Sequence, residues 1–229
     1  MFDKEESSRT RRIIGDAGIE KLADAKVLVF GVGGVGGALC ESLARAGVGK
    51  LTLVDGDVVS PSNLNRQLVA LHSTIGKPKV EVMKERIHDI CPDTKVEAIT
   101  AFYKPDQPFA VSFSDYSYVA DAIDDIPAKV ELWVKCREAG VPLISAMGAG
   151  NKLDPSLFRV ADLAKTEVCP LAKILRKKLK DRGITHGKVV FSPEPPVKTG
   201  VSEPGSLSFV PPVAGYVMAG EIVRDLLKD

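Results

Sequence analysis

The residues best suited to chemistry in this chain stand in three groups behind a run of glycines at positions 31, 33, 34, 36 and 37. The first group is Ser62-Asn63-Leu64-Asn65-Arg66-Gln67, the second Lys77 and Lys79, and the third Asp121 and Asp124. Gly31, Gly33 and Gly36 have the G-x-G-x-x-G spacing. The first glycine permits a tight turn, the second lets a phosphate approach the backbone, and the third lets helix and strand pack closely. Free amides at the following helix start, at the positive end of its dipole, make an anion site for nucleotide phosphates. Asp55 lies roughly 20 residues on, where a carboxylate accepts hydrogen bonds from a ribose. The glycines alone are compatible with NAD, FAD or ATP, so the groups behind them must decide. Hydride transfer asks for a flat apolar slot for nicotinamide. Nucleotidyl transfer asks for cations where charge accumulates on departing pyrophosphate, and for a carboxylate to hold magnesium. Arg66, Lys79 and Asp124 supply that set. Asp121 fits a strand-end cap as well as it fits the site, and Lys77 reads as a solvated neighbour of Lys79.

These side chains meet only if strand ends bring them together. Residues 26–30 are a short β-branched run closed by glycine, which predicts a buried parallel strand. Val35, Ala38, Leu39, Leu43 and Ala46 then recur at helical spacing and stop at Gly47 and Gly49. A second strand is predicted over 51–54, ending at Asp55, and a polar loop over 58–67 above the C-terminal strand edge. A helix over 77–90, a strand over 96–100, a strand over 118–120, a helix over 127–139 and a strand over 141–146 follow. Residues 102–117 read as a mixed connection, and residues 9–22 as a leading helix with Ile13, Ile14 and Leu22 on its apolar face. The alternation predicts an α/β, Rossmann-like fold with a mostly parallel sheet, helices on both faces and a smaller C-terminal extension. The nucleotide-binding core is expected over 1–150. The extension, 151–229, is expected to form one integrated domain with it. It holds a short strand near 158–160, a cationic helix over 170–182 and a strand over 188–191. A Pro/Gly-rich segment, 192–205, reads as a mobile loop or lid, and a returning helix spans 212–227.

At 229 residues, 45% hydrophobic and 27% charged, the chain is of a size for one sizeable core. A net charge of +1 excludes a uniformly basic nucleic-acid binder, so any such surface is local. One candidate is the helix bearing Lys173, Arg176, Lys177, Lys178, Lys180 and Arg182, for which a solvated cationic face and a nucleic-acid backbone contact both fit. The polar N-terminus and the lack of any apolar run of about 18 residues lead us to expect a cytoplasmic protein with no membrane partner. Cys40, Cys91, Cys136 and Cys169 form no C-x-x-C pair, so no zinc is expected. Cys40 and Cys136 read as buried and inert. Cys169, before a helix start near Lys165, is the one context that favours a thiolate, with an inert role the preferred reading.

The motifs RRIIG (11–15), GVGGVG (31–36), LVDGD (53–57), SNLNRQ (62–67), GKPKVE (76–81) and DAIDD (121–125) together resemble the ubiquitin-activating-enzyme-like superfamily (ThiF/MoeB/HesA). That superfamily includes the molybdopterin-synthase and thiamine sulfur-carrier adenylyltransferases. The match covers about two-thirds of the chain, with independent motifs in the right order. The stretches at 162–184 and 189–196 look more like one branch, the tRNA threonylcarbamoyladenosine dehydratases. The resemblance implies ATP and Mg2+ as cofactors. It implies a nucleotide site of Gly31, Gly33, Gly34 and Gly36, with Asp55 and Asp57, and with Ser62, Asn63, Leu64, Asn65 and Arg66 at phosphate and ribose. Arg66 and Lys79 would neutralise pyrophosphate, and Asp124 would hold magnesium with Asp125 beside it. Arg11, or its neighbour Arg12, would reach the partner's phosphates in a homodimer.

The activity implied is activation of a carboxylate as an acyl-adenylate, most simply to cyclise threonylcarbamoyladenosine in tRNA, with tRNA contacts through Lys173, Arg176, Lys177 and Lys180. The alternative within the superfamily is adenylylation of the C-terminal glycine of a ubiquitin-like sulfur carrier, with a carrier or cysteine-desulfurase-type partner. A catalytically silent nucleotide-binding module is a third reading, and Arg66, Lys79 and Asp124 count against it.

Overall fold

The computed structural model describes residues 5–105, 107–109 and 111–228. Its first half alternates strand and helix: β1 (Lys26–Phe30), α2 (Gly34–Ala46), β2 (Lys50–Val54), α3 (Lys79–Ile90) and β3 (Lys95–Ile99), preceded by α1 (Ser8–Asp24). Then come β4 (Tyr118–Asp121), α4 (Ile126–Ala139), β5 (Leu143–Ala146), β6 (Arg159–Asp162), α5 (Pro170–Lys180), β7 (Lys188–Phe191) and α6 (Val210–Leu226). The strands form one sheet in the order β3-β2-β1-β4-β5-β7-β6, parallel except for β6, which runs against β7 at the edge. The order reverses between β1 and β4, the switch point at which sheets of this kind bind ligands. Register places Phe30 beside both Val54 and Asp121, so β2, β1 and β4 end on one line and their loops open into one crevice.

The two-residue period of a strand splits β1 between two cores. Val27 and Val29 face α2, α3 and α6 with Leu39, Leu43, Met83, Ile87, Met218 and Ile222. Leu28 and Phe30 face Leu132 and Cys136 of α4, together with Phe113 and Tyr116. A further cluster around Leu175, Leu179 and Trp133 seats α5.

Several expectations need correction. Ile13 is not on a buried face but 85% exposed. The chain breaks at Gly15 (φ 70°, ψ 178°), so only Gly18, Ile19 and Leu22 of α1 pack inward. The helix expected from 77 starts at Lys79, because Pro78 is its cap with ψ 131° and Lys77 lies outside. The mixed connection over 102–117 does contain a short 3-10 helix, Phe113–Asp115, and its described residues add Tyr103, Phe109 and Phe113 to an aromatic cluster with Phe30. The Pro/Gly-rich segment is tied to Asn151 at Val197 and at Gly205. The Asn151 carbonyl accepts from Val197 N (2.7 Å), and Asn151 also exchanges bonds with Gly205, accepting on Oδ1 (2.6 Å) and donating its amide (2.8 Å). Arg176 is not a free surface cation: it is half-buried and donates to the Thr166 carbonyl at 2.7 Å, while Lys173, Lys177 and Lys180 remain exposed. All four cysteines are buried and free. Burial pushes the Cys40 thiol up and the Cys136 thiol up to about 12.

Candidate active site

The loops after β1, β2 and β4 enclose a cleft of about 380 Å³. Two glycines make it possible. Gly31 has φ +89°, and a Cβ there would lie 2.7 Å from the Ala122 carbonyl oxygen; a Cβ on Gly36 would lie 1.8 Å from that of Gly31. The start of α2 can therefore sit against the strand end, with first-turn amides that no helix bond uses turned to the crevice. Asp55 braces this turn, accepting from Val32 N at 2.7 Å and Asp57 N at 2.8 Å. Lys79, only 5% exposed, donates Nζ to Asp57 Oδ2 at 2.7 Å. Arg66 donates to the Asn65 side chain (2.7 Å) and to the Ser62 carbonyl (3.0 Å), which holds the guanidinium at the cleft wall. Asp125 caps α4 through Ala128 N at 2.8 Å. Asp124 is exposed at the mouth, and no described residue engages its carboxylate.

The cleft thus gathers Gly31, Gly33, Gly34, Asp55, Asp57, Asn63, Arg66, Lys79, Asp124 and Asp125. Five expected residues do not line it. Gly36 packs beneath Gly31. The turn at Pro61–Asn63 sends Ser62 outward to Ser60 (2.9 Å), Leu64 packs on the core, and Asn65 donates to the Ser206 carbonyl at 2.9 Å. Arg11 stays on its own helix with Asp16 and Ser7. Asp121 is resolved as structural: it is fully buried, bonded to Lys129 at 2.9 and 3.0 Å and to Ser145 at 2.5 Å. Gln67, named in the motif but given no role of its own, has its Oε1 buried without a partner among the described residues in the cleft wall; the aromatic side of the cleft, Phe102 and Tyr103, was not read from the sequence. Gln67 adjoins Arg66 in the motif and was within reach of that signal; Phe102 carried none.

A second, mainly apolar chamber of about 460 Å³ adjoins the first and shares Arg66, Asp124 and Pro211 with it. Its far wall holds Met147, Lys152, Cys169 and Ser206. Cys169 caps α5 and is 4% exposed. Among the described residues no three His, Cys, Asp or Glu side chains form a metal cluster. Magnesium commonly takes one or two carboxylates and completes its shell with phosphate oxygens and water, and the single open carboxylate of Asp124 beside an anion site fits that habit.

Fold and site together define an α/β nucleotide-binding protein whose glycine turn is faced by an arginine, a lysine and an acid. The chain belongs to the ThiF family, whose profile matches residues 7–229. It is 46% identical over 242 residues to the tRNA threonylcarbamoyladenosine dehydratase of Bacillus subtilis, an alignment spanning 97% of this chain and 94% of that one. A crystal structure of Escherichia coli tRNA N6-threonylcarbamoyladenosine dehydratase in complex with ATP matches with a TM-score of 0.89 at 36% identity, over 98% of this chain and 94% of the other. The molybdopterin-synthase adenylyltransferase of Salmonella typhimurium is 41% identical, but over 60% of this chain and 54% of its own length.

Proposed function

We propose that the chain is an ATP-dependent dehydratase that cyclises threonylcarbamoyladenosine in tRNA through an acyl-adenylate. The observation that carries the reading is the pair of joined chambers, one with the nucleotide fingerprint and one apolar, with Arg66 and Asp124 on their shared wall. Full-length likeness to the Bacillus subtilis dehydratase supports it, whereas the likeness to the molybdopterin-synthase adenylyltransferase covers 60% of this chain and 54% of that one.

In this reading residues 1–150 form the nucleotide-binding core, and the extension over 151–229 joins it in walling the chamber that takes the acid. A carboxylate oxygen of the threonyl group attacks the α-phosphorus of ATP, the bond from that phosphorus to pyrophosphate breaks, and a mixed anhydride forms. A nitrogen of the same substrate, losing its proton, then attacks the acyl carbon and expels AMP. Water is removed formally, its oxygen leaving on AMP. Arg66 and Lys79 face the pyrophosphate as its charge grows, which is where preorganised cations act most strongly. Asp124 would hold magnesium, which adds charge neutralisation on the phosphate oxygens. Gln67 and the first-turn amides of α2 fix the phosphates, so orientation supplies much of the remaining rate. Lys173, Lys177 and Lys180 on the open face of α5 suit the tRNA backbone, and a homodimer would bring Arg11 to a neighbouring site.

Pyrophosphate release tests the reading. We expect release from ATP that depends on tRNA carrying threonylcarbamoyladenosine and yields one AMP per cyclised nucleoside. Release that depends instead on a ubiquitin-like carrier would transfer the chain to the sulfur-carrier class, and tight ATP binding without release would make it a silent module.

A further inference from the structure

The second chamber contains a buried lysine to which no carboxylate among the described residues is bonded. Three lysines are buried among the described residues: Lys79, Lys129 and Lys152. Lys79 has Asp57 at 2.7 Å and Lys129 has Asp121 at 2.9 Å. Lys152 is 4% exposed, and its one bond is from Nζ to the main-chain carbonyl of Glu194 at 2.5 Å. The Glu194 carboxylate is turned elsewhere, accepting from the amides of Leu153 (2.9 Å) and Asp154 (3.2 Å). An ammonium has three donors, and among the described residues only one of them is used, an arrangement that an anion in the chamber would complete. Burial pushes the pKa of Lys152 down, against the opposing pull of Cys169 and Glu194.

The position of this lysine is fixed from both sides. Asn151, at φ 57°, turns the chain out of the sheet and is locked to Gly205 and Val197, which leaves Lys152 in the chamber wall. In the same wall Ser206 Oγ is buried and has no partner among the described residues. Arg66 and Asp124 stand where that space opens to the nucleotide.

We infer that Lys152 is a positioning residue whose ammonium holds the carboxylate that is to be activated, with Ser206 Oγ as an accessory contact to the same group. The inference rests on the functional reading above. Adenylylation moves the negative charge from the acid to the phosphate, so this contact belongs to the bound substrate more than to later species. Its loss acts mainly on KM.

The test uses a tRNA carrying threonylcarbamoyladenosine and the same RNA with the threonyl carboxylate converted to a carboxamide. Wild-type protein should bind the acid about tenfold or more tightly than the amide. Lys152→Met should bring the two RNAs within about twofold of each other, raise KM for the acid RNA with a smaller change in kcat, and leave ATP affinity at the wild-type value. A merely structural lysine would weaken both RNAs alike and lower the melting temperature without changing their ratio, which overturns the inference. If the methionine variant does not fold, Lys152→Gln keeps a donor without the charge and must show the same loss of preference. Wild-type protein that releases pyrophosphate with the acid RNA yet binds acid and amide equally overturns the inference alone. Wild-type protein that releases none with the acid RNA overturns the functional reading and the inference with it.

Discussion

Lys79 has little room to do anything but meet an anion. It emerges at the first position of α3, is almost wholly buried, and is aligned by Asp57, whose side chain is 53% exposed. The ion pair is therefore half in water and contributes little to stability, whereas the charge it orients lies beside the glycine turn where pyrophosphate would leave. Lys79→Met should lower kcat for pyrophosphate release by about 10²–10³-fold, the scale set by removing one preorganised donor at a developing charge. The same substitution should cost no more than about 1 kcal/mol in denaturant unfolding. A variant with unchanged kcat would remove Lys79 from the chemistry.

Each of these groups is placed by an element that is itself pinned. The β4–α4 turn, which carries Asp124 and Asp125, is anchored from below by Lys129, whose Nζ bonds both oxygens of Asp121, Ser145 Oγ and the Ala146 carbonyl. Lys129→Met leaves the Asp121 carboxylate buried and unpaired, and should cost about 3–5 kcal/mol by urea unfolding. The double change Lys129→Met with Asp121→Asn should cost clearly less than the two singles added, because the uncompensated charge is gone; additivity would contradict this account. On the other side of the crevice Asn151 ties down the Pro/Gly-rich segment, and its left-handed backbone suits asparagine or glycine. Asn151→Ala should speed proteolytic cleavage within residues 197–203 several-fold, while Asn151→Gly, which restores the backbone but not the side-chain acceptor, should fall between. The contrast between these two regions explains what was legible beforehand. The β1–α2–β2 unit could be read because its glycines, β-branched run and helical spacing are all local signals, and they place Gly31, Gly33 and Asp55 directly. Ile13 was misplaced because a helical spacing does not reveal that Gly15 breaks the helix. Ser62, Leu64 and Asn65 do not line the cleft, because a motif gives residue types without the direction each faces in a turn. Lys152 carried no signal at all, since its burial comes from β5, α5 and residues 194–206 converging from far along the chain.

On the scale of the whole molecule the two ends of the sheet do separate work. The C-terminal ends of β1, β2 and β4 hold the candidate site, while at the other end Tyr118 and Lys188, the first residues of β4 and β7, meet Asp225 near the end of α6. Burial works to raise the Asp225 pKa, but hydrogen bonds from Lys188, Lys228 and Tyr118 prevail and bring it down to about 2, against an ordinary 3.8. The sign follows from proton binding. Between those two values the unfolded chain binds the proton that the folded chain refuses, so folding is favoured as pH rises through the window. The contribution is complete above the unfolded value and is lost as pH falls through about 2. A depression of this size corresponds to about 2 kcal/mol. Asp225→Asn should therefore lower the unfolding free energy at neutral pH by about 2 kcal/mol, and the gap from wild type should close as both are titrated below about pH 2, where the native carboxyl is also neutral. Because Lys188 retains Glu221 at 2.7 Å, the anchoring of α6 loosens without being abolished. The cluster lies at the opposite strand ends from the cleft, so kcat/KM for pyrophosphate release at 25 °C should stay within about twofold of wild type, the additivity expected of distant sites. A variant that lost activity in step with stability would mean that the two ends of the sheet are coupled through α6, whose Pro211 lines both chambers.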